Sequence, residues 1–286
     1  MAVLAPVLNL RRRLERRPLA ALVEIAARAG YLARGAVHVS IGIIALMAAL
    51  EATPHAEGAV GALEAWGRWP AGVLLLWLIG VGLYGFAGWR ALQAVFDVDR
   101  QGRSAKALLA RLGQAVSGAV YAATAVSVFG LLDAIEDLGE ADDRDATRAM
   151  VEQALEMPMG GLLVAAAGLF VAGAGVGSIV RAALDHFTRG LAAGPDTRTL
   201  AGTLARIGYL GRGVALLPAG LFLVLAGVRA RASDARGLGA ALDALERQPF
   251  GDAVLALAAV GLVAFGVFAA LEGWLRPIRP ERALDS

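Results

Sequence analysis

The chain has 286 residues, 58% of them hydrophobic and only 18% charged, with a mean hydropathy of +0.62. A soluble domain of this size carries more charge and less apolar surface. The chain has no cysteine, which excludes disulfides, thiolate metal sites and thiol nucleophiles. His38, His55 and His186 lie far apart and lack metal-ligand spacing. The basic pI near 9.4 comes with no stripe of cations and interleaved aromatics, so no nucleic-acid surface is expected.

Residues 1–19 read as a basic cytoplasmic segment. In "LNLRRRLERRPLAALVEIAARAG", Glu24 and Arg28 interrupt any apolar core and no cleavage site follows. An amphipathic helix retained on the mature protein is expected rather than a signal peptide. Six runs without Asp, Glu, Lys or Arg come next: Gly35–Leu50, Trp69–Trp89, Leu112–Leu132, Met157–Val180, Gly213–Val228 and Ala253–Leu271. About 20 apolar residues cross a bilayer core as a helix, and a lone strand in lipid leaves its backbone unpaired. Six spans are therefore expected. The segments joined to the termini by an even number of spans hold 20 of the 27 lysines and arginines. The positive-inside rule then places both termini in the cytoplasm.

The chain also repeats itself. "ARAGYLARG" at Ala27 returns as "ARIGYLGRG" at Ala205, and as a worn "ARLGQAVSG" at Ala110, where Gln114 and Ser117 replace Tyr and Arg. Each second span follows "PAG" at Pro70, "PMG" at Pro158 or "PFG" at Pro249, with the proline expected in the first helical turn. A short interfacial helix is expected before each proline, because Leu63, Val151 and Leu242 all sit seven residues upstream. The units are 20–97 (repeat 1), 98–188 (repeat 2) and 189–277 (repeat 3), followed by a cytoplasmic tail at 278–286. All three share one orientation. The fold class is all-α: a polytopic membrane protein with six transmembrane helices, as three parallel two-helix repeats around a pseudo-three-fold axis.

Two of the first spans have only 16 residues between charges, about 24 Å of helix. Those helices must continue backward past Arg34 and Arg212, whose side chains are expected to snorkel to the headgroups. Lysine would serve there as well. Arg28, Tyr31, Arg34, Arg111, Arg206, Tyr209 and Arg212 are the candidates for contact with headgroups at the interface. A sharper alternative makes the arginines a site for an anionic lipid or ligand at the centre of the three units. Small residues let helix backbones approach, which nominates Gly30, Gly35, Gly85, Gly113, Gly118, Gly173, Gly208, Gly213 and Gly266 as packing positions. Ser40, Thr124, Ser127 and Ser178 are expected to bond back to helix carbonyls, and Pro218 to bend the fifth span. The acidic "EADDRD" lacks the glycine and ligand spacing of a calcium loop. The "GAGVGS" at Gly173 has no strand before it and is discounted as a phosphate loop.

The phrase A-R-x-G-Y-x-x-R-G with P-x-G, in three tandem two-helix units, resembles the bacterial membrane proteins grouped as domain of unknown function 1206. The resemblance runs from about Ala20 to Pro277 and is weakest in repeat 2. It implies an integral protein of the bacterial cytoplasmic membrane and brings no established activity or catalytic residues.

The runs contain no acid and one histidine, so the relay of a proton-coupled carrier is missing. The leading expectation is a non-enzymatic membrane scaffold or a bundle that binds lipid or a membrane protein partner. Anionic headgroups on the cytoplasmic side are its expected lipids, and no cofactor is expected. The alternative is a small-solute transporter or channel with a path along the pseudo-three-fold axis, lined by His38, Ser40 and Ser127.

Overall fold

The computed structural model describes residues 17–67, 69, 71–136, 143–184, 194–278 and 280, with side chains omitted at 133–136 and 143–146. Pro70, His186, most of the basic N-terminal segment and much of the acidic loop lie outside these residues. All regular structure among the described residues is helical: α1 (Pro18–Ala49), α2 (Ala59–Gly67), α3 (Gly72–Phe96), α4 (Ala105–Glu136), α5 (Asp143–Glu156), α6 (Gly160–Leu184), α7 (Pro195–Arg229), α8 (Leu238–Glu246) and α9 (Gly251–Leu275). Six of them, α1, α3, α4, α6, α7 and α9, are long and apolar enough to cross a membrane. The protein is a multi-pass membrane protein.

The two short charge-free runs sit in helices far longer than the runs themselves. α1 has 32 residues and α7 has 35. Both open on a proline, Pro18 and Pro195, where a missing N–H costs nothing. Each continues past its arginine, as expected, and α7 runs through Pro218 unbroken.

The P-x-G phrases are not first helical turns. In repeats 2 and 3 the second span begins at the glycine, and the proline occupies the second position of a tight turn before it. Gly160 N–H donates to the Met157 carbonyl at 2.9 Å, and Gly251 N–H to the Gln248 carbonyl at 2.8 Å. The residue between, Met159 or Phe250, takes a positive φ of 62° or 61°, as the third residue of a type II turn must. A Cβ on Gly72, Gly160 or Gly251 would overlap the carbonyl oxygen of Trp66, Ala154 or Glu246. That contact is why a glycine ends the phrase each time. It folds α2, α5 and α8 back onto the spans, so that Leu63 and Leu242 are fully buried and Val151 nearly so. The Ala56 N–H donates to Asp243 Oδ1 at 2.9 Å and ties the first unit's outer loop to α8.

Helix neighbours follow a fixed order. Successive units join through α3 against α4, α6 against α7, and α9 against α1. Within units, α1 packs on α3 and α7 on α9, but α4 and α6 barely touch among the described residues. The order α4–α3–α1–α9–α7–α6 therefore has two free flanks, one on α4 and one on α6.

Candidate functional site

The arginine-glycine phrase encodes two helix interfaces and one interior charge. In the first unit, a Cβ on Gly30 would stand 2.5 Å from the backbone of Phe86 on α3. A Cβ on Gly35 would stand 2.7 Å from the Gly266 carbonyl on α9. Five residues apart, the two glycines face different neighbours. Tyr31, between them, packs its ring edge on Phe86 at 5.1 Å. The third unit repeats the device: Gly208 meets Phe265, Gly213 meets Gly175 and Ile179, and Tyr209 packs on Phe265 at 5.2 Å. Gly85 lies against Ala26, and Gly118 against Arg90. In repeat 2, Gly113 and Gly173 have nothing within 4 Å of an added Cβ. Those two nominations fail as packing positions, because a Cβ at either would meet no neighbouring helix.

Repeat 2 is open for a reason visible in its residues. Counted from the shared Gly80 and Gly168, Phe86 and Trp89 correspond to Ala174 and Gly177. Phe86 and Trp89 are buried, and Phe86 packs against α1. Helices in lipid associate through van der Waals fit rather than expulsion of water. A face stripped of both rings has nothing with which to close on α4.

Arg28 and Arg111 bond to protein carbonyls. Arg28 Nη1 donates to the Gly273 and Trp274 carbonyls at 2.6 and 2.9 Å, and its Nη2 pairs with Glu24 at 2.7 Å. Arg111 donates to the Ala94 and Val95 carbonyls, both at 2.7 Å. The first two phrases thus clamp the C-terminal end of a neighbouring unit's second helix, where unpaired carbonyls favour a cation. Arg206, by contrast, is exposed.

Arg34 and Tyr31 depart furthest from the expectation of interfacial anchors. Tyr31 is 1% exposed and Arg34 is 5% exposed. Arg34 Nε donates to the Tyr121 hydroxyl at 3.0 Å, and its guanidinium lies 4.6 Å from the Phe265 ring centroid, 5.3 Å from Phe86 and 5.8 Å from Tyr121. The close crossing of α9, where a Cβ on Gly273 would meet Tyr31, turns this face of α1 inward. Arg212 joins from α7. It is 5.2 Å from the same Phe265 ring and donates to Ser178 Oγ on α6 at 3.0 Å. Tyr209 is half-buried beside it.

A third arginine was not among the sequence candidates. Arg90, on α3, lies 4.9 Å from the Phe86 centroid. Its Nη1 donates to Gln93 Oε1 at 3.2 Å, and its Nε is buried with no acceptor. By the repeat register Arg90 corresponds to Ser178, and Ser117 to Arg212. The α3–α4 and α6–α7 interfaces therefore carry the same arginine and serine with the helices exchanged. The worn copy has not lost its charge; the preceding helix supplies it. The signal was Arg90 itself, directly after the run ending at Trp89.

Three guanidinium groups thus gather around two phenylalanine rings. Among the described residues none of the three has a carboxylate partner. The nearby acids have cations of their own: Glu24 with Arg28, and both Glu272 and Asp99 with Arg276. Asp99 also accepts from Gln93 at 2.8 Å and Gln114 at 3.1 Å. Cation–π contact returns ~0.5–2 kcal/mol per pair, whereas an uncompensated buried charge costs several kcal/mol. Like charges sharing one ring repel by a further ~1–2 kcal/mol at an effective dielectric near 20. Arg34 alone is buried, while Arg90 and Arg212 are partly exposed, so the unpaired charge weighs most on Arg34.

The expected solvent path gathers no such site. His38 is buried, with Nδ1 2.9 Å from the Arg34 carbonyl and its ring 4.8 Å from Phe265. Ser40 donates to the Ala36 carbonyl and accepts from Trp66 Nε1, which anchors α2. Ser127 donates to the Ala123 carbonyl. Thr124 and Ser178 also bond back to helix carbonyls, as expected of all four. No contact joins His38, Ser40 and Ser127 to one another.

The comparisons accord with the repeat reading. The family model described as Domain of Unknown Function (DUF1206) matches residues 29–97, 112–185 and 207–276, one segment per unit. An uncharacterized protein, YxxB, of Bacillus subtilis (strain 168) is 32% identical over 257 residues, spanning 86% of this chain and 88% of its own. No solved structure matches the chain.

Proposed function

Since this chain belongs to the DUF1206 family, whose description carries no activity, we propose a role from its own geometry: it is a non-enzymatic membrane bundle that binds an anionic group at Arg34, Arg90 and Arg212. One observation carries the reading, namely three cations drawn together around two rings, with no carboxylate partner among the described residues. Guanidinium forks suit phosphate, which takes several N–H donors at once. Arg34 spends only Nε on a protein acceptor, and Arg212 and Arg90 only Nη1. The side chains beside them hold them in place: the Tyr121 hydroxyl and Ser178 Oγ accept from the arginines, and His38 Nδ1 is bonded to a carbonyl.

The arginine-bearing end is read as cytoplasmic, because it carries 20 of the 27 lysines and arginines. Reporter fusions at Ala141 and Ala193 should label outside and inside respectively; the reverse at both sites overturns this orientation. The binding reading is tested with inorganic phosphate on the purified, delipidated protein. Phosphate should raise the unfolding temperature of the wild type and leave the triple variant Arg34→Gln, Arg90→Gln, Arg212→Gln unmoved. An equal rise in both would sink it.

A further inference from the structure

We infer that the anion is the phosphate of a membrane phospholipid, and that it reaches the arginines sideways, through the seam between α4 and α6. The inference rests on the binding reading above and adds the source of the ligand and its route.

Three independent observations meet at this seam. The first is its position. Arg34 is held by Tyr121 of α4, and Arg212 by Ser178 of α6. These two helices barely touch, so the cluster lies behind the one junction where neighbouring chain segments leave the bundle open. The second is the lining. Gly113 on α4 and Gly173 and Gly177 on α6 would find nothing within 4 Å of an added Cβ. By the repeat register Gly173 and Gly177 stand where Gly85 and Trp89 close the first hairpin. Three glycines with no neighbour leave room that suits an acyl chain. The third is depth. Arg34 and Arg212 each directly precede a charge-free run, and Arg90 directly follows one. All three mark the boundary between hydrocarbon and headgroup, the level at which a lipid phosphate sits with its chains running inward.

Free phosphate would need none of this. It would arrive from the aqueous end, where Asp99, Glu272 and Glu24 are each paired with an arginine. A lipid comes from the side, where the seam carries no acid.

The test uses the intact protein in vesicles of phosphatidylcholine with phosphatidylglycerol as the sole anionic lipid. Bound phosphatidylglycerol is counted by native mass spectrometry after gentle extraction, and phosphate binding is measured separately on the delipidated protein. Gly173→Trp and Gly177→Trp put a large ring at positions where an added Cβ meets nothing, to plug the seam; Gly88→Trp, at a position on α3 equally free around its Cβ, is the control. The plugs should lower bound phosphatidylglycerol about tenfold, the scale of one or two lost charge-assisted hydrogen bonds, while phosphate binding persists and Gly88→Trp matches wild type. Plugged variants that retain phosphatidylglycerol overturn the lateral route yet leave the arginine site standing. Phosphate binding without lipid binding in the wild type overturns the lipid assignment. Loss of neither ligand in the triple arginine variant removes both readings. Gly173→Leu, a smaller plug judged by the same outcomes, covers a tryptophan variant that does not fold.

Discussion

Arg90 on α3 stands against Gly118 on α4, where an added Cβ would come within 3.2 Å of its own. A guanidinium is thereby delivered beside Ser117, at the position that Arg34 and Arg212 fill from their own helices in the other two units. If the charge matters more than the helix that bears it, the exchange is reversible. Arg90→Ser should lose phosphate-dependent stabilisation, and adding Ser117→Arg should restore most of it. A double variant no better than the single would show that Arg90 acts through its own helix.

The glycines separate by the same logic. Gly30→Ala forces a Cβ into the backbone of Phe86, which cannot move aside as a side chain could. Overpacking of this kind costs ~1–3 kcal/mol or more, and the unfolding temperature in detergent should fall sharply. Gly113→Ala, at the equivalent position of the open unit, meets nothing and should be neutral or stabilising by ~0.5–1 kcal/mol from helix propensity alone. Equal losses at both sites would contradict the open seam.

Arginine and lysine are not interchangeable at position 34. A snorkelling anchor needs only reach, so lysine would be mild. Arg34 instead donates Nε to Tyr121 and lies over Phe265, a geometry that an ammonium cannot reproduce. Arg34→Lys should abolish most of the bound anionic lipid, nearly as Arg34→Gln does. Lipid content close to wild type would return Arg34 to the role of a charge that merely reaches the headgroups.

The bundle should not conduct protons. The charge-free runs hold one histidine and no acid, and His38 Nδ1 is occupied by the Arg34 carbonyl. In liposomes carrying a pH-sensitive dye, an imposed gradient should decay no faster than in empty vesicles. Faster decay that vanishes with His38→Ala would make His38 the functional residue.

The spans, their number and the tandem units were legible because apolar length and repeated phrases survive translation into one dimension. The glycine positions were legible where both facing helices keep their pattern, as at Gly30 and Gly208. They misled at Gly113 and Gly173, because the defect lies in a partner: the missing rings at Ala174 and Gly177. The arginines were visible as a set, but their direction was not. Whether a cation at a helix end faces lipid or protein depends on the crossing of a remote helix, and α9 decides it for Arg34. Arg90 escaped notice because the register compared first helices with first helices, while the charge had passed to a second.

The pairing of α9 with α1 has a bearing on how the molecule is made. Of the six spans described, the earliest in the chain finds an extensive neighbour in the latest. Until α9 leaves the ribosome, the ring of Phe265 is absent, and Arg34 waits at the membrane without one of its aromatic supports. α3 with α4 and α6 with α7 can dock as soon as they emerge, so assembly proceeds in pairs offset by one helix from the repeats of the sequence. Truncation before residue 251 would then take from the opening helix its largest neighbour, leaving Arg34 with Tyr121 and Phe86 but without Phe265.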